Sequence, residues 1–235
     1  RGGAEAQQGV TSAMVPIECP DPTIDLHWGE FHGAIHDVFT SNAEKFPDWP
    51  CVIETRSSRT SERMFTYRQI NEASNQLAHH FLAHSCQIGD VVMIYAYRGV
   101  DLVVAYMGAL KAGATVCVID PQYPPERQKI LLEVARPSFL VCIHKANEEA
   151  GKPSQLVMDF VARDLDVKSI VPALKLLDDG KLRGGCVDGK DCLDTSPHSS
   201  TNPADVIVGP DSVPTLSFTS GSEGRPKGVQ GRHFS

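Results

Sequence analysis

The chain has 235 residues, 41% hydrophobic and 22% charged, a mix that supports a sizeable core and excludes a mostly disordered chain. Twenty-two Lys and Arg stand against 29 Asp and Glu, a net charge of −7, which argues against duplex nucleic acid as the main partner. Neither a membrane-length apolar run nor a signal-peptide pattern in the opening RGGAEAQQGV is present, so no membrane partner is expected.

Residues 1–30 read as an irregular lead-in interrupted by Pro16, Pro20 and Pro22, with Trp28 and Phe31 docking it. Apolar residues at 31, 35, 38, 39 and 46 form one helical face, closed by Pro47 and Pro50. CVIET (51–55) and MFTY (64–67) read as strands. Thr66 with Gln69 makes a capping box for a helix from Tyr67 to about Ser85. VVMIYAY (91–97) is a near-continuous apolar strand. Val100–Lys111 reads as a buried helix stopped by Gly113. TVCVID (115–120) is a strand, and Pro125 suits the first position of a helix over 125–135. SFLVCIH (138–144) is a strand, a weaker helix covers about 154–164, and 167–177 holds another strand. Residues 178–204, rich in Gly, Asp, Ser, Thr, Pro and Lys, read as a long surface loop. VPTLSFT (213–219) is a strand feeding a Gly-rich turn. This alternation predicts an α/β fold, a mostly parallel sheet over roughly 90–220 flanked by helices. The 219–228 turn is then expected at the carboxyl edge of a central strand.

Seven cysteines, at 19, 51, 86, 117, 142, 186 and 192, are scattered and mostly flanked by apolar residues, as reduced core thiols in a cytoplasmic protein are. Cys186 and Cys192 flank a polar turn without metal-ligand spacing. His32/His36 and His80/His84 are four apart, but no HExxH or third ligand accompanies them. They read as exposed helical histidines, and no metal site is expected. Asp120 reads as a turn residue and Arg127 as half of a structural ion pair. Tyr95, Tyr97 and Arg98 end a buried strand at a cleft.

The chemistry concentrates in Thr219-Ser220-Gly221-Ser222-Glu223-Gly224-Arg225-Pro226-Lys227-Gly228. Gly221, Gly224 and Gly228 let the backbone turn and present N–H groups. Thr219, Ser220 and Ser222 add hydroxyls, and Arg225 and Lys227 add cations. Such a donor-rich loop at the end of a buried strand suits a phosphate chain. The plain alternative is a Gly/Ser surface hairpin with incidental charges. A Walker loop is excluded, because Lys227 lies between Pro226 and Gly228, and no GxGxxG occurs.

Thr219 to Val229, with His233 four residues on, resembles the phosphate-binding loop of the adenylate-forming (AMP-binding) superfamily. That superfamily contains acyl-CoA synthetases, luciferases and peptide-synthetase adenylation domains. FTYRQINEASNQLAHHF (65–81) and ALKAGATVCVIDPQYPPERQKILLEVARP (109–137) resemble its two earlier landmarks, in the same order. Glu223 in the loop, the following GRHFS, and VIETRSSRTSERMFTYRQIN (52–71) resemble one family within it, the fungal L-2-aminoadipate reductases.

The resemblance implies part of an N-terminal adenylation subdomain over 31–235, ending just past the phosphate loop. It implies ATP and Mg²⁺ for the adenylation step, with Thr219, Ser220, Gly221, Ser222, Gly224, Arg225, Lys227 and Gly228 on the phosphates. It implies L-2-aminoadipate as substrate, activated, loaded on a phosphopantetheine carrier and reduced with NADPH in lysine biosynthesis. Carrier and reductase domains of the same polypeptide would be partners, as would a phosphopantetheinyl transferase. The amino-acid pocket and the lid with its catalytic Lys would lie beyond Ser235, so residues 1–235 would be inactive alone. A peptide-synthetase or acyl-CoA ligase segment is the nearest alternative, and a non-catalytic nucleotide-binding module the alternative of another class.

Overall fold

The computed structural model describes residues 31–56, 61–194, 201–220 and 225–233; the lead-in expected over 1–30 lies outside these. Helix α1 (Ile35–Lys45) is followed by strands β1 (Pro50–Glu54) and β2 (Arg63–Thr66), which pair antiparallel. Helix α2 (Tyr67–Ala83) starts on the expected capping box. The Thr66 N–H donates to Gln69 Oε1 at 2.9 Å and the Gln69 N–H to Thr66 Oγ1 at 3.3 Å. The alternation then runs β3 (Val91–Tyr95), α3 (Val100–Lys111), β4 (Thr115–Ile119), α4 (Pro125–Ala135), β5 (Phe139–Ile143), α5 (His144–Ala150), α6 (Gln155–Asp164) and β6 (Ser169–Leu176). Helix α5 sits where the sequence carried no apolar periodicity.

The seven-stranded sheet has the order β11-β10-β4-β3-β5-β6-β7, where β7 is Leu182–Arg183, β10 Thr215–Thr219 and β11 Lys227–Gly231. Strands β10, β4, β3, β5 and β6 are parallel, while β11 and β7 close the two margins antiparallel. Strand β4 lies on one side of β3 and β5 on the other. Right-handed crossovers therefore put α3 and α4 on opposite faces. Fully buried Met93, Ile94, Phe81 and Phe139 fill the space between layers, with the two Phe rings edge to face at 5.0 Å.

Three expectations need correction. Strand β10 is next to the margin, because β4 has β3 on its other side and only β11 lies beyond β10. The segment 178–204 is not plain loop over its described part. Leu182 and Leu193 are buried, β7 pairs with β6, and Cys186–Val187 (β8) pairs with Lys190–Asp191 (β9) around Asp188-Gly189, both at positive φ. Two isolated leucines anchor an otherwise polar stretch. His36 and His80 are not exposed: they retain 6% and 2% exposure. His80 Nε2 lies 2.9 Å from Ser169 Oγ, and burial lowers its pKa to about 4.

Burial also reaches a lysine. Lys111 Nζ on α3 donates to Asn71 Oδ1 (2.6 Å), Asn75 Oδ1 (2.7 Å) and Ser74 Oγ (2.9 Å) on α2, and lies over the Phe39 ring. Its hydrogen-bond acceptors are neutral, and desolvation pulls its pKa down to about 7. Among the described cysteines Cys86, Cys117 and Cys142 are buried, each thiol pushed up to about 12, while Cys186 is exposed.

Candidate functional site

Strands β4 and β10 share a single register pair, Thr215 with Val116. Thr115 Oγ1 donates to the Val213 carbonyl at 2.6 Å, and the Val116 N–H to that of Pro214 at 2.8 Å. Beyond this junction β4 keeps its pairing with β3 as far as Ile119, and β10 keeps β11 as far as Thr219. The sheet therefore forks. Val118, on an inner strand, is 40% exposed because no strand covers that side of it.

A cleft of about 620 Å³ occupies the fork. Val116, Val118 and Asp120 line it from β4 and its end; Ser217, Thr219 and Ser220 line it from β10. Leu102 and Tyr106 of α3 and Arg127 and Leu131 of α4 close it from the two faces. Tyr97 and Arg98 follow β3, and Gln122 and Tyr123 follow β4. The cleft lies beside the carboxyl ends of β3, β4 and β10, the end of an α/β sheet at which ligands are held.

The expected loop residues divide as follows. Thr219 and Ser220 are exposed at the end of β10 and line the cleft. Gly221, Ser222 and Gly224 lie outside the described residues. Lys227 opens β11 and is paired across the hairpin with Thr219, its side chain exposed. Gly228 pairs with Phe218; a Cβ there would meet Leu216 Cδ1 of β10 at 3.0 Å, with Val134 Cγ1 of α4 at 3.7 Å, so a larger residue would crowd the hairpin's own strand. Arg225 does not line the cleft. Its guanidinium is 3.2 Å from Glu133 Oε2 on α4.

Other residues also fall away from their expected places. Tyr97 and Arg98 reach the cleft, but Tyr95 is buried and donates its hydroxyl to the Gly151 carbonyl at 2.9 Å. Asp120 turns the chain, accepting the Gln122 N–H at 2.9 Å, and lines the cleft as well. Arg127 lies over the Tyr123 ring at 4.4 Å rather than against a carboxylate. His233 packs at 5.9 Å from the His36 ring of α1 and is not part of the cleft lining. Burial lowers the pKa of both histidines. Tyr106, Tyr123 and Val118 were invisible as site residues in the sequence, since only the fork brings them together.

Two arginines, Arg98 and Arg127, and one carboxylate, Asp120, line the cleft, a balance that favours an anionic ligand, while Lys227 is not part of the lining. The oxygen donors offered, Asp120 and the hydroxyls of Thr215, Ser217, Thr219 and Ser220, suit a hard cation such as Mg²⁺. No cluster of three His, Cys, Asp or Glu able to hold a metal occurs among the described residues.

The profile of the AMP-binding enzyme family matches residues 39–235. The chain is 61% identical over 216 residues to the L-2-aminoadipate reductase large subunit of Penicillium chrysogenum, covering 92% of this chain and 15% of that protein. It is 54% identical over 234 residues to the L-2-aminoadipate reductase of Schizosaccharomyces pombe, covering 97% and 16%. The chain thus spans less than a sixth of these relatives' length. Its fold is similar to that of the Klebsiella oxytoca NpsA N-terminal subdomain in complex with 3-hydroxyanthranilyl-AMSN, at 20% identity and TM-score 0.59, covering 89% of this chain and 43% of that one.

Proposed function

The chain belongs to the AMP-binding enzyme family, and we propose that it forms the phosphate-holding part of the adenylation half of an L-2-aminoadipate reductase. The observation that carries this reading is the high identity to chains of that name across nearly the whole sequence. The opening of the loop segment onto the forked-sheet cleft supports it. Residues 31–235 are then part of a larger adenylation domain.

In this reading the substrate carboxylate attacks the α-phosphorus of ATP in line, and pyrophosphate leaves. The chain holds the leaving end. Thr219 and Ser220 donate hydroxyls, the backbone of Gly221, Ser222, Gly224 and Gly228 donates N–H groups, and Lys227 faces the β- and γ-phosphates. These donors meet charge that grows as the bond to pyrophosphate breaks, so they bind the transition state more strongly than the ground state. Bound Mg²⁺ would supply further neutralisation of phosphate charge. Arg98 and Arg127 keep the cleft positive, and the apolar wall of Val116, Val118 and Leu131 limits water there.

The whole polypeptide would activate L-2-aminoadipate, load it on a phosphopantetheine arm fitted by a transferase, and reduce the thioester with NADPH, in the cytoplasm. No helix among the described residues is long and apolar enough to cross a membrane. The test is ATP–pyrophosphate exchange by the full-length polypeptide with L-2-aminoadipate, other amino acids and fatty acids. Exchange driven by aminoadipate above the others supports the assignment; exchange driven by a fatty acid, or by none, overturns it.

A further inference from the structure

Neither loop cation, Arg225 or Lys227, is part of the cleft lining, and Arg225 has a partner elsewhere. Arg225 sits two residues before Lys227, and its guanidinium meets Glu133 of α4 at 3.2 Å. The neighbouring Val134 lies against the position where a Cβ of Gly228 would project, 3.7 Å away. Consecutive residues of α4 thus lie beside both ends of the segment 225–228, Glu133 paired with Arg225 and Val134 next to Gly228. Lys227 lies between these two ends and is itself exposed.

We propose that Arg225 and Glu133 form a clasp that fixes the return arm of the loop on α4, so that both are positioning residues for Lys227 and neither contacts phosphate. The inference rests on the phosphate-loop reading of 219–228. Its physical basis is geometric. Lys227 carries a long flexible stem, and its ammonium reaches a ligand in the fork only if the backbone at 225–228 keeps its height above the cleft. Strand pairing holds 227–231 to β10, but β10 is joined to the rest of the sheet by one register pair. The clasp ties the other side of the hairpin directly to a helix packed on the sheet. Both side chains are about half exposed or more, so the clasp is weak and salt-sensitive, worth no more than about fivefold in an equilibrium.

The test uses the full-length polypeptide and aminoadipate-dependent ATP–pyrophosphate exchange. Glu133→Gln and Arg225→Gln are each expected to raise KM for ATP about two- to fivefold, with kcat little changed and the double variant no worse than either single. Arg225→Glu, which sets two carboxylates face to face, is expected to be worse than Arg225→Gln. Adding Glu133→Arg should restore KM to within about twofold of the parent. Rising salt should bring the parent toward the Glu133→Gln value. If the charge-swapped pair stays as poor as Arg225→Glu, or if Arg225→Gln is harmful while Glu133→Gln is silent, Arg225 is a phosphate ligand and the clasp is wrong. Silence of both single variants also overturns it. Lys227→Ala, run alongside, separates the readings: its silence would remove the phosphate loop itself, whatever the clasp does.

Discussion

Thr115 Oγ1 donates to the Val213 carbonyl at 2.6 Å, and this bond lies beside the only register pair that joins β10 to β4. The bond spans 98 positions of sequence, and the strand it secures leads into the phosphate-loop segment. Thr115 is almost fully buried, so water cannot replace its hydroxyl. Thr115→Val keeps the shape and leaves the Val213 carbonyl short of a donor. The expected cost is about 1–2 kcal/mol, read as a lower urea midpoint, with KM for ATP raised in the full-length polypeptide. An unchanged midpoint and KM would show that backbone pairing alone holds β10.

Lys227→Ala is expected to slow aminoadipate-dependent exchange about a hundredfold, the effect of losing one preorganised donor worth about 3 kcal/mol. Stability should barely change, because Lys227 is exposed and the hairpin is held by strand pairing. NADPH reduction of a pre-loaded carrier thioester by the same variant should be untouched. Exchange within about twofold of the parent, about 0.4 kcal/mol, would rule out a phosphate contact.

Lys111 predicts a stability effect remote from the cleft. Its ammonium serves side-chain oxygens of Asn71, Ser74 and Asn75 together. Lys111→Met keeps the stem and removes the donor, and should cost about 2–3 kcal/mol as the α2–α3 contact loses it. Urea unfolding should show a lower midpoint with an unchanged slope. A neutral or stabilising result would mean that burying the charge costs as much as these bonds return.

The buried histidines set an acid limit. Burial first, and the His84 ring second, lower the pKa of His80 from 6.5 to about 4. The folded state therefore binds fewer protons than the unfolded chain between these values. Its stabilisation is complete above pH 6.5 and is lost as pH falls toward 4, by about 3 kcal/mol from this residue. His36 and His233 act in the same direction, each lowered chiefly by burial and opposed by Asp37. Unfolding midpoints at pH 7, 5.5 and 4.5 should decline, and His80→Asn should flatten that decline. A parent midpoint independent of pH in this window would contradict the assignment.

Helices α3 and α4 were legible in the sequence to the residue, because Pro125 and Gly113 mark boundaries locally and the apolar faces are long. The parallel alternation was legible for the same reason. What was not legible depends on partners far along the chain. His80 looks like a solvent residue until β6 brings Ser169 to it. Leu182 gives a two-residue strand only because β6 is beside it. The loop residues could be named from their chemistry, but not the fork, since no local pattern says that β4 and β10 part after one pair. Glu133 carried no signal at all: on an exposed helix face it is indistinguishable from any other carboxylate.

The fork also bears on how the molecule breathes. A strand held by one register pair and one buried hydroxyl opens at lower free energy than β3, β4 and β5, which are laced together along their lengths. Amides of 215–219 and 227–231 should thus exchange hydrogen well before those of 91–95, as a separate cooperative unit. A nucleotide that grips the hairpin would slow that exchange by as much as it is bound, about 2.7 kcal/mol at a hundredfold excess over its dissociation constant. Ligand occupancy and the closing of the sheet would then be one equilibrium, measurable at the backbone without any turnover.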